Sequence, residues 1–111
     1  MAELFLYGTD RDGPAAAYFA DVRAVPATVR GRLYRDDRAR LGLLPSVDGP
    51  AVSGALVSVP DARLPVLDLL HGADLVRQRV RVSVHLQARN VEAWVFRAPP
   101  RLPWRAVRRS A

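Results

Sequence analysis

The chain contains no cysteine, no lysine and no isoleucine. Without cysteine, disulfides, thiol nucleophiles and cysteine-ligated zinc are all excluded. The 17 basic residues are therefore all arginine. A GC-rich coding bias produces this combination of absences, so the arginine count needs no binding partner to explain it. Against 11 acidic residues it gives a formal charge of +6. That charge attracts polyanions non-specifically, but no DNA- or RNA-binding motif accompanies it, so no specific nucleic-acid partner is expected. Long apolar runs are also missing. None approaches the roughly 18–20 residues of a membrane span, and the first residues lack the basic-then-apolar pattern of a secretory signal. A cytoplasmic protein with no membrane contact is the expectation. The two histidines are far apart, the acidic residues have no ligand spacing, and no nucleotide-phosphate fingerprint occurs. Hence neither a metal nor a cofactor is expected.

What is present fits one domain over residues 1–111, half of it hydrophobic. Leu4 to Tyr7 reads as a short buried strand stopping at Gly8. The loop from Gly8 to Gly13 is rich in turn formers, and its backbone N–H groups suit either a plain turn or an anion nest. Pro14 to Val22 opens with proline and predicts a helix. Thr28 to Tyr34 alternates with the period of a half-buried strand. Asp36 to Gly49 reads as a polar turn and a loop, and Val52 to Val59 as a strand with Gly54 at a close backbone approach.

Asp61 is placed to cap a second helix, with Pro65 in its first turn. Leu64, Leu67 and His71 share one face of it, Asp68 borders that face, and Gly72 ends it. From Val76 the alternation is the clearest in the chain. Val80, Val82, Val84 and Leu86 are assigned to one side and the stripe Arg77, Arg79, Arg81 to the other. A turn at Ala88-Arg89-Asn90 then leads into a paired strand, Val91 to Phe96. Three prolines follow, Trp104 anchors the tail, and residues 105–111 read as a basic, frayed end.

Two motifs stand out, Tyr7-Gly8-Thr9 after the first strand and Leu67-Asp68-Leu69-Leu70-His71-Gly72. Together they resemble the γ-glutamylcyclotransferase-like (AIG2-like) family, which carries Tyr-Gly-(Ser/Thr) and Leu-Asp-x-x-Glu-Gly at these places. The pair Val29-x-Gly31-x-Leu33 and Val52-x-Gly54-x-Leu56 is similar to the middle of the same pattern. The resemblance implies an α+β fold: a small curved, barrel-like mixed β-sheet with two or three short helices. It also implies a pocket between the Gly8 loop and the end of the helix, where the family's glutamate takes a proton from the substrate's α-ammonium. The freed amine then closes 5-oxoproline.

His71 stands where that glutamate is expected. Imidazole titrates near neutral pH and can both take and give a proton. Asp68 is expected to orient it if it reaches the ring. Tyr7, Gly8, Thr9 and Asp10 are the expected substrate-binding residues. Asp10 replaces the family's leucine, Ala55 its second glutamate and Val76 its tyrosine. These changes point to a diverged enzyme acting by acid–base chemistry on a small molecule, through cyclisation, elimination or isomerisation. A non-catalytic binding protein is the alternative, and a genuine γ-glutamyl or aminoacyl cyclotransferase the third reading.

Overall fold

In the computed structural model, residues 1–8 and 14–107 are described. Seven strands and one α-helix follow in order: β1 (Ala2–Leu6), β2 (Val25–Arg35), β3 (Leu41–Pro45), β4 (Ala51–Val59), α1 (Leu64–His71), β5 (Val76–Val84), β6 (Gln87–Val95) and β7 (Arg105–Ala106). Among the described residues, Pro14–Phe19 and Asp61–Arg63 form 3-10 helices. The result is the expected curved α+β barrel with few, short helices.

β1 has three successive buried residues, Leu4, Phe5 and Leu6. An alternating pattern would not suit it, because β1 lies between β4 (antiparallel) and β6 (parallel) and is covered on both faces. That parallel contact, at Leu4 and Glu92, closes a ring running β1–β4–β2–β5–β6. β2 makes closure possible by changing partners along its length. Val25 to Arg30 pair with β4, Thr28 also meets Ser83 of β5, and Gly31 to Arg35 pair with β3. The foreseen close approach at Gly54 is present. A Cβ there would collide with the Leu6 carbonyl oxygen and sit 2.6 Å from the Phe5 ring.

Two apolar clusters result. Phe5, Tyr7, Val29, Leu43, Val80 and Val82 fill the barrel. Leu4, Leu6, Leu64, Leu67, Trp94 and Trp104 lie outside it, under α1 and the C-terminal segment. Leu64 and Leu67 are buried and His71 half-buried, as one shared helical face requires. Asp61 makes no side-chain capping bond; its 3-10 turn leads into α1 instead, with Pro65 in the first turn. Gly72, at φ 76°, stops the helix and donates its N–H to Leu69 O at 3.2 Å.

Besides the Asp61 cap and the Pro14–Val22 helix, which is the shorter 3-10 helix Pro14–Phe19, other expectations change. β3 forms inside the stretch read as loop, because Gly42 and Pro45 resemble loop signals while Leu43 is fully buried and bonded on both sides. Asp36 makes the turn before it, its carboxylate accepting from the N–H groups of Arg38 and Arg40. The β5–β6 turn is His85-Leu86, both at positive φ, and Ala88 to Asn90 belong to the strand. Leu86 is therefore fully exposed rather than facing the core. Finally, the tail pairs at its start: Tyr34 and Arg35 meet Ala106 and Arg105, and Val107 N–H bonds Leu33 O at 2.8 Å. Trp104 anchors it with its ring edge-on to Phe96, 4.9 Å away.

Candidate functional site

β6 alternates, placing Ala93 and Val95 in the barrel and Trp94 on the outer face beneath α1. The indole is the floor of the candidate site. His71 comes down from the last turn of α1 and lies flat on it, with ring centroids 4.0 Å apart and planes 2° from parallel. Its Nδ1 is 2.7 Å from Leu67 O. A carbonyl can only accept, so Nδ1 carries a hydrogen. Both in-plane rotation and tilt of the imidazole are thereby fixed.

Asp68 does not hold the ring in the way an Asp–His pair would. Its Oδ1 accepts from Trp94 Nε1 at 2.8 Å and from Arg77 Nε at 3.0 Å, while Oδ2 faces Arg77 Nη2 at 3.3 Å. It holds the indole on which the imidazole is stacked and lies near the ring as a charge. Burial pushes the Asp68 carboxyl up. The bonds from Arg77 and Trp94, with the charges of Arg77 and His71, outweigh burial and hold it below the usual carboxylate range. Arg77 lies opposite Trp94 in the β5–β6 ladder and reaches Glu92 Oε1 at 3.0 Å as well. The Asp68 bond raises the Arg77 pKa further, despite partial burial.

Tyr7 is buried on the other side of the same strand. Its hydroxyl donates to Trp94 O at 2.5 Å and accepts from Leu43 N–H at 2.8 Å. It ties β1 to β6 and β3 at the base of the site. Gly8 follows at φ 61°, where the chain turns away. Thr9 and Asp10 lie outside the described residues. Ala55 is buried opposite Leu6, and Val76 is half-buried opposite Val95.

The structure thus brings His71 and Asp68 together around Trp94, with Tyr7 bound to the backbone of that same tryptophan. Sequence reasoning missed Trp94, Glu92 and the distinct place of Arg77. Arg77 reads as the first of three equivalent stripe residues until the register places it across from Trp94. Among the described residues, no group of three His, Asp or Glu side chains is arranged to hold a metal, and no helix is long and apolar enough to cross a membrane.

The profile of the family "Gamma-glutamyl cyclotransferase, AIG2-like" matches residues 4–109. The chain belongs to this family. No curated protein matches the sequence, but solved structures do. YkqA from Bacillus subtilis is 17% identical with a TM-score of 0.70; the match covers 86% of this chain and 36% of that one. At5g39720.1 from Arabidopsis thaliana is 24% identical with a TM-score of 0.69, over 89% and 72% of the two chains. An AIG2-like protein from Mus musculus is 19% identical with a TM-score of 0.71, over 87% and 78%. At these identities the likeness is one of fold. The chain spans about a third of YkqA.

Proposed function

We propose that this family member carries out acid–base chemistry on a small molecule, with His71 as the proton-transferring group. The observation behind this reading is the fixed imidazole: Nδ1–H on Leu67 O and one face on Trp94. In this reading Nε2 exchanges the proton, at the position where the family has its glutamate. Nε2 would take a proton from a substrate amine, hydroxyl or acidic C–H and return it to the departing or rearranged atom. The imidazolium formed between these steps would be favoured by the indole face and the Asp68 carboxylate. Asp68, held by Arg77 and Trp94, stays ionised throughout and is a positioning residue.

A cyclisation, elimination or isomerisation fits this proton traffic. A γ-glutamyl substrate fits it less well. The ammonium that a glutamate would attract is repelled by a charged imidazole. The substrate-binding roles of Tyr7, Gly8, Thr9 and Asp10 belong to the same proposal. Within it, Tyr7 shapes the site through Trp94 O and Leu43 N–H, and Gly8 lets the loop leave β1.

A second reading, a non-catalytic binding protein, draws on the same cluster. Arg77 bonds to both Asp68 and Glu92, and the Tyr7 hydroxyl bonds to the backbone of Trp94 and Leu43, as they would in a structural network. Incubating the purified protein with a small-molecule extract and following it by mass spectrometry separates the two. The enzymatic reading expects a compound to be consumed and a product to grow. Saturable binding without any turnover supports the second reading. Release of 5-oxoproline from γ-glutamyl amino acids at about 1 per second or faster, an ordinary enzymatic rate, would instead make the protein a true cyclotransferase.

A further inference from the structure

The arginine stripe of β5 divides in two. Arg77 is neutralised by Asp68 and Glu92. Arg79 and Arg81 are exposed, and among the described residues neither meets a carboxylate. Arg79 stands across from Glu92 in the ladder, but that carboxylate is bound to Arg77. Both arginines border a cleft of about 520 Å³. The barrel wall is open here because β2 touches β5 in register only at Thr28 and Ser83 before turning away to pair with β3. At this gap the cleft lining includes Val29, Val80 and Val82, each at most 5% exposed.

Arg30 contributes a third guanidinium from the facing strand, steadied by one bond from Nη1 to Gly49 O at 3.2 Å. Among the described residues, none lining the cleft is acidic. Three arginines over an apolar floor are an arrangement with a specific chemical complement. Guanidinium groups match the oxygens of a phosphate in charge and geometry. A volume within the roughly 300–1,000 Å³ of small-molecule sites leaves room for more than the phosphate. A solvated stripe on a flat sheet would show neither the concavity nor the valine floor.

We propose that this cleft binds a small ligand carrying a phosphate group on an apolar body, separately from the His71 site. The arginines hold the phosphate at the rim and the body enters towards Val80 and Val82. The proposal needs no chemistry at the cleft and does not depend on the acid–base reading.

The test uses phenyl phosphate, inorganic phosphate and phenol, titrated calorimetrically into the purified chain at about 0.15 M salt, where loose surface attraction is screened. Phenyl phosphate is expected to bind one-to-one and at least about fivefold tighter than inorganic phosphate, because its ring covers apolar surface. Phenol should bind more weakly than either. The double variant Arg79→Gln, Arg81→Gln should melt like the parent and lose about tenfold or more in affinity, as expected when charge-assisted bonds are removed. Backbone amide shifts on the parent protein provide a readout independent of the variant, and they should move saturably at Val29, Val80 and Val82. No saturation by phenyl phosphate would overturn the proposal, as would shifts centred on His71 or unchanged affinity in the variant. Single-stranded RNA binding that strengthens with length while phenyl phosphate does not bind would also overturn it, in favour of a polyanion surface.

Discussion

Trp94 is the residue on which the site depends. It stacks under His71, donates to Asp68 and, through its carbonyl, accepts from Tyr7. Trp94→Phe keeps an aromatic face but removes the donor to an ionised carboxylate, a bond of the kind worth about 1.5–3 kcal/mol. It should lower the melting temperature by roughly 5–15 °C, as that loss implies for a domain of this size. Calorimetry checks it, and an unchanged melting temperature would show that the bond contributes nothing. Asp68→Asn should cost less, since the Asp68 side chain is 41% exposed and its ion pair with Arg77 is screened. The sequence marked Asp68 and His71 because their spacing along α1 is visible in it. It did not mark Trp94, because the pairing of β6 beneath the helix is a long-range fact with no local signature.

At the level of elements, β1 is held by two devices: the close approach to β4 at Gly54 and the Tyr7 hydroxyl bridge to β6 and β3. Gly54→Ala places a methyl group against the Leu6 carbonyl and the Phe5 ring. A loss of about 1–3 kcal/mol is expected from such overpacking. Tyr7→Phe leaves Trp94 O and Leu43 N–H buried without this partner, at a cost of about 1–3 kcal/mol. Denaturant titration tests both, and either variant matching the parent would contradict the role given to it. β1, β2, β4 and α1 were legible because burial on one or both faces writes a period or a run into the residues. β3 was not, since Gly42 and Pro45 carry loop signals that its neighbours override. The His85-Leu86 turn was hidden for a related reason. Two-residue turns of positive φ favour Asn and Gly, and here neither residue is of that type.

For the whole molecule, two carboxylates matter: Asp68 joins α1 to β5 and β6, and Asp36 closes the turn before β3. Asp36 and Asp68 are both held below the usual carboxylate range. Burial raises each, but the backbone and side-chain bonds of Arg40 and Arg38 at Asp36, and those of Arg77 and Trp94 at Asp68, outweigh it. Their folded pKa values lie below the unfolded value of about 3.9, so the unfolded chain binds protons first as pH falls. Their stabilisation is complete above that value and is lost as pH drops through the folded pKa values. Melting temperature should therefore hold between about pH 5 and 7 and fall steadily below about pH 4, with a shallower fall in Asp68→Asn. A profile equally steep in parent and variant would remove Asp68 from this account. Family and fold were readable from two short motifs, whereas the reaction was not, because the second motif carries His71 where the resemblance leads one to expect glutamate. The most direct measurement is turnover of the compound that the parent consumes, compared with the His71→Ala variant at equal melting temperature. A loss of about 10²–10⁴-fold is the result expected when a general acid–base group is removed; turnover at the parental rate would contradict the central claim that His71 carries the proton.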